Sequence, residues 1–238
     1  MGIRTALARQ SGTEDLVATL DEILAMEGSN PPRNHVGPVG VYPRNTLNIR
    51  NGYKSLKDWE EVSGNRCKLV ITVGTYANIA QLAGYADYRD EDWVISAVSF
   101  TGAANLENAL REHEIDDNIL MTQVVPALDS ELPIVQQARD ALGDQFGYVS
   151  LEGYIVGKMF LAIVSNIDGE LTRENFMNAV RNQRFDLDGL TIDFTDDNQG
   201  SDFVLLTELR DGIYRPVDVR ELQRLFNTSA DSSAANNP

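Results

Sequence analysis

Three short apolar runs separated by helix-spaced patterns dominate the middle of this chain, and that alternation leaves few folds open to it. Leu69-Val70-Ile71-Thr72-Val73 is a continuous run rich in β-branched residues, as expected of a strand buried on both faces. It ends at Gly74-Thr75-Tyr76, and a helical pattern follows through Ile79, Leu82 and Ala83. Trp93 to Phe100 is a second strand pattern, ended by Thr101-Gly102 and followed by a helix using Leu106, Ala109 and Leu110. Ile119 to Val125 is a third, stopping at Pro126. Strand, helix, strand, helix, strand at this spacing predicts βαβ units, a parallel sheet with right-handed crossovers and an α/β fold.

The flanking segments follow other rules. Residues 3–27 place Leu16, Val17, Leu20, Ile23 and Leu24 at helical spacing, which predicts a helix, and Gly28 to Asn34 reads as a loop. Val39-Gly40-Val41-Tyr42 is a short strand candidate ended by Pro43. After Pro126 three helices follow with no strand between them: Leu132 to Leu142, Ser150 to Ile167, and one opened by Leu171-Thr172-Arg173-Glu174. The second would bury Ile155, Met159, Phe160, Ile163 and Val164. The third would bury Phe176, Ala179 and Val180, with Thr172 as its cap. Leu190 to Phe194 and Phe203 to Leu209 are strand patterns, and Asp211-Gly212 is a hairpin turn leading to Ile213-Tyr214 and Pro216-Val217. Residues 227–238 read as a disordered tail.

Charge and cysteine content narrow the function classes. The 238 residues carry a formal charge of −16, which argues against phosphate-rich nucleic acid and against an anionic membrane surface. Hydrophobic residues at 42% and charged residues at 24% are ordinary for a globular protein of this length. Cys67 is the single cysteine, so no internal disulfide forms, and the two histidines, His35 and His113, lack helix-spaced partners; neither a metal site nor a cofactor is expected. The N-terminus lacks the apolar core and cleavage site of a signal peptide. Met159 to Val164 is far shorter than the roughly 18–20 residues of a membrane span. As written, the chain reads as soluble and unexported.

Reactive motifs fail on spacing. Gly147 and Gly153 stand three residues either side of Ser150, whereas a nucleophile elbow needs two. No phosphate-cradling G-x-x-x-x-G-K-S/T run exists. Asp196-Asp197-Asn198, Gly200 and Asp202 lack the spacing of a calcium loop and read as a solvated turn. With no triad, no paired catalytic carboxylates and no redox motif, the chain is not expected to be an enzyme.

A binding design survives. Ligands of open parallel sheets sit beyond the carboxyl ends of the strands. Two such ends, Gly74-Thr75-Tyr76 and Ser99-Phe100-Thr101-Gly102, combine hydroxyl and aromatic side chains with a helix start behind them. Free helix amides and the positive end of the dipole favour an anionic or zwitterionic ligand, and Tyr76 and Phe100 add apolar walls. The same Ser and Thr residues are also ordinary helix caps, and Tyr76 is equally able to pack.

A set of stretches in a fixed order then carries a resemblance. They are Val41-Tyr42-Pro43-Arg44-Asn45-Thr46, Val73 to Tyr76, Val98 to Gly102, Thr122 to Pro126, Tyr148 to Tyr154, Gly189 to Phe194 and Gln199 to Asp202. Over residues 36–217 the chain resembles the type I periplasmic solute-binding proteins, in the branched-chain amino-acid (Leu/Ile/Val) receptor group of ABC transporters. The resemblance implies a two-lobed clamshell of parallel-sheet α/β lobes. Residues 1–124 plus 203–220 would form the second lobe and 125–202 the remaining part of the first. Most of the first lobe, and the export signal, would precede the point matched by Met1, so the first lobe is expected to be incomplete, with self-association through its uncovered apolar faces.

By that resemblance Thr75 and Tyr76 match a strand end where relatives place a ligand-contacting aromatic. Ser99, Phe100 and Thr101 match the next loop, where amino-acid-binding relatives often place an acid for the ligand's ammonium group; here no Asp or Glu occurs before Glu107. Glu152, near a helix start of the first lobe, would either face the ligand or serve as a buried cap partner. The implied role is that of a periplasmic carrier. It binds an amino acid, amide or small carboxylate without catalysis and delivers it to ABC permease subunits. A ligand-sensing domain of a signalling receptor is the alternative.

Overall fold

The computed structural model describes residues 2–7, 37–43 and 46–218. The chain divides into two compact units, one made of the residues up to Thr122 and from Leu206 on, the other of Gln123–Leu205.

The first unit is built on a six-stranded sheet. Strands β1 (Gly2–Leu7), β2 (Cys67–Val73), β3 (Val94–Ala97) and β4 (Ile119–Gln123) lie side by side in chain order and pair in parallel. β7 (Leu205–Arg210) and β8 (Ile213–Pro216) extend the sheet beyond β4 as an antiparallel hairpin. Its turn is Asp211-Gly212 with φ +52° and +73°, the left-handed pair that a two-residue hairpin needs. The Thr207 hydroxyl donates to the Met121 carbonyl at 2.8 Å, tying β7 to β4.

Helices α1 (Arg50–Ser63), α2 (Tyr76–Tyr88) and α3 (Ala103–Arg111) belong to the same unit. Register puts Val70, Ile95 and Ile119 on one rung and Thr72, Ala97 and Met121 on the rung two residues on. All six are buried. Ile95 and Ile119 line one crevice with Ala83 and Ala86 of α2, so this row is the helix-covered face. Leu106 and Leu110 of α3 are fully buried, and each such side chain contributes about 1.5–3 kcal/mol. The opposite face holds a smaller cluster of Val94, Leu120 and Val217.

Three local expectations are corrected here. Residues 2–7 are a parallel edge strand on β2 and not the start of a helix. Ile3 and Leu7 fit either period, and the ladder to β2 decides. The rest of that helix, 8–27, the loop at 28–34 and the tail at 227–238 lie outside the described residues. Val39–Tyr42 forms only a bridge at Gly40, where the backbone presses on Gly52 so closely that an added Cβ would sit 3.0 Å from the Gly52 Cα. Phe203 and Val204 stay outside β7.

Helix α1 had no counterpart in the sequence reading. It buries Tyr53 and Leu56 and ends on Gly64 at φ +68°. The Tyr53 ring meets Tyr85 edge-on at 4.8 Å and Trp93 at 5.4 Å. Its hydroxyl donates to Glu91, and burial together with that carboxylate pushes it up to about 12.

The second unit holds α4 (Pro133–Leu142), α5 (Tyr148–Ser165), α6 (Arg173–Val180) and the hairpin β5–β6 (Arg184–Leu187 and Leu190–Asp193). α5 packs on α4, α6 and β5, burying Leu151, Ile155 and Ile163 against a set that includes Ile134, Val135 and Ala138. Thr172 caps α6 by accepting from the Asn175 amide at 3.1 Å, as its position before the helix predicts. β5 was not anticipated; it alternates exposed and buried residues over only four positions. Phe160, expected inside, is 48% exposed, with its ring tilted against that of Phe176 at 5.8 Å between ring centres. Val149, Val156 and Leu161 of α5 are also exposed. The 18 residues of α5 are apolar enough to cross a membrane by length and composition alone; the short run Met159–Val164 understated this because glycines and scattered polar residues interrupt the pattern.

Candidate functional site

The strand ends of the first unit fall on one line. Ile71 pairs with Ser96, and Ser96 with Leu120. Three residues further on, the chain reaches Gly74 after β2, Ser99 after β3 and Gln123 at the end of β4. The link between the first two is explicit: the Thr101 hydroxyl donates to the Gly74 carbonyl at 3.2 Å. Two residues lower, the Thr72 hydroxyl donates to the Ser96 carbonyl at 2.8 Å. A Cβ at Gly74 would run into the Tyr42 hydroxyl at the tip of that side chain, so a larger residue there requires Tyr42 to shift.

Each strand end then runs into a helix whose start is left open. Thr75 stands at the N-cap of α2 in extended conformation, yet its hydroxyl donates to Asn78 Oδ1 at 2.7 Å and caps no amide. The Asn78 amide in turn donates to the Thr46 carbonyl, which holds the preceding loop against the strand end. Ser99-Phe100-Thr101 forms a single 3₁₀ turn, and Gly102 at φ +84° starts α3, again without a side-chain cap. The first amides of both helices therefore have no intrahelical acceptor, and both dipoles place positive potential at this edge.

The structure brings five of the named residues to this edge and sorts them by exposure. Tyr76 is 42% and Phe100 66% exposed. Thr75 is exposed, Ser99 half-buried and Thr101 buried. Glu152 belongs to the second unit, on α5. It is exposed and not a buried cap partner, because the helix start is closed by the Gly147 amide donating to Ser150 Oγ at 2.9 Å.

No carboxylate stands in the strand-end segments 74–86 or 97–106. The first acid, Glu107, is ion-paired with Arg111 one turn on. Acidic charge gathers instead at the other end of the strands, where Asp87, Glu91, Asp116 and Asp117 line a crevice. There burial, with Asp116 alongside, holds the Asp117 carboxyl above its ordinary range. The Asp197 and Asp202 carboxylates of the acidic turn accept from the Gln199 backbone and side chain. Among the described residues no cluster of three or more His, Cys, Asp and Glu side chains is placed to hold a metal ion.

Two residues of this edge escaped sequence reasoning. Asn78 looked like one more position of a helix, and only the fold shows it tying Thr75 to Thr46. Gln123 continues the buried row Ile119–Met121, is 2% exposed, and its side-chain nitrogen has no hydrogen-bond partner among the described residues. A polar residue in an otherwise apolar strand row was the signal available.

No protein-family model matches the chain, and no curated protein matches it. Solved structures do. A possible leucine/isoleucine/valine-binding protein from Rhodopirellula baltica SH 1 superposes with a TM-score of 0.78 at 29% identity, over 93% of this chain and 60% of its own. A branched chain amino acid ABC transporter from Thermus thermophilus with bound valine gives 0.67 at 15% identity, over 91% and 60%. A fatty acid ABC transporter substrate-binding protein from Thermomonospora curvata gives 0.70 at 13%, over 91% and 56%. The chain thus spans about 60% of the length of such relatives. Its neighbours are type I periplasmic binding proteins of the leucine/isoleucine/valine-binding group, and it shares their fold.

Proposed function

We propose that this chain is the ligand-binding part of an extracytoplasmic solute receptor. It takes a small polar ligand at the strand-end edge formed by Thr75, Tyr76, Ser99, Phe100 and Thr101, carries out no reaction on it, and presents it to the membrane subunits of an ABC permease. One observation carries the reading: two adjacent strand ends, joined by the Thr101–Gly74 bond, each lead into an uncapped helix start beside an exposed aromatic ring. Free amides bind oxygen acceptors, and an exposed Tyr or Phe at the same point gains by covering an apolar body. The structural neighbours, a possible leucine/isoleucine/valine-binding protein and a fatty acid ABC transporter substrate-binding protein among them, support the same class.

The test is a thermal-shift panel of amino acids, amides and small carboxylates on the full chain, followed by calorimetry of each hit. Stabilisation by at least one member, diminished in Tyr76→Ala, is the expected result. A panel without any stabilising member counts against the receptor role.

A further inference from the structure

We draw no further inference here: the strongest candidate, the outward face of α5 in the second unit, where Val149, Val156, Phe160 and Leu161 stand exposed beside Gly153 and Gly157, is an unpartnered apolar face, and nothing in the structure shows what covers it.

Discussion

The hydroxyl of Thr101 reaches across from the turn after β3 and donates to the carbonyl of Gly74 at the end of β2, 3.2 Å away, while Thr101 itself is 5% exposed. This bond fixes the spacing of the two strand ends on which the candidate site stands. Replacing Thr101 by Val keeps the shape and removes the donor, leaving a buried carbonyl short of a partner. A loss of about 1–2 kcal/mol is expected, whereas Thr101→Ser, which keeps the hydroxyl, loses less. Urea unfolding followed by tryptophan fluorescence reads the change in the right unit, because both tryptophans, Trp59 and Trp93, lie in the first. Equal stability of the Val variant and the wild type would falsify the link.

A second prediction concerns the same glycine from its other side. An added Cβ at Gly74 would approach the Tyr42 hydroxyl to 2.4 Å but its ring carbon only to 3.6 Å. The conflict is therefore with a single oxygen at the tip of a side chain. Gly74→Ala should lower stability by about 1–3 kcal/mol, the usual range for overpacking. In a Tyr42→Phe background the same substitution should cost clearly less. A double-mutant cycle measures the coupling; strict additivity would mean that Tyr42 is not what makes Gly74 necessary.

The parallel core was legible because strands covered on both faces are written as unbroken apolar runs, and Leu69–Val73 and Ile119–Met121 are such runs. What escaped depended on partners distant in sequence. Residues 2–7 are a strand because β2 lies beside them. Arg184–Leu187 is a strand because Leu190–Asp193 folds back on it. The fate of the two threonine hydroxyls was equally hidden. Both sit where a cap is expected, yet Thr75 turns to Asn78 and Thr101 to Gly74. The diversion of Thr75 and the glycine at the N-cap of α3 leave both helix starts without a side-chain cap, so the candidate residues could be named from sequence while the chemistry they leave available could not.

The hairpin β5–β6 supplies a pH dependence. Asp193 accepts from the Thr195 hydroxyl at 2.7 Å and the Thr195 amide at 2.9 Å, and from Arg184 Nε at 2.8 Å. These bonds favour the ionised form and hold its carboxyl down at about 2, below an ordinary 3.8. A depressed carboxyl stabilises the folded state above its unfolded value and loses that contribution as pH falls through the folded one. The Asp193 share of stability is thus complete above about pH 4 and disappears on acidification toward pH 2. An NMR titration should place the Asp193 midpoint near 2. Thr195→Ala removes the largest single cause, the hydroxyl bond, but keeps the amide bond and Arg184, so the midpoint should rise part of the way toward 3.8. An unmoved midpoint would assign the shift to the Thr195 amide and the Arg184 guanidinium instead.

Exposure separates contact residues from packing residues at the candidate edge, and this gives the last prediction. Phe100 is 66% and Tyr76 42% exposed, so truncating either ring removes little that the folded chain has buried. Phe100→Ala should leave stability within about 0.5 kcal/mol of the wild type, as for ordinary surface positions. Tyr76→Ala, half covered, should lose somewhat more. If the rings wall a ligand, both variants should instead bind roughly tenfold or more weakly, since covering an aromatic side chain is worth more than 1.4 kcal/mol. Calorimetry with whichever acid or amide stabilises the wild type, read beside urea unfolding of the same preparations, separates the two quantities. Loss of affinity at unchanged stability identifies the rings as contacts. Loss of stability at unchanged affinity returns them to packing, and the site must then be sought away from this edge.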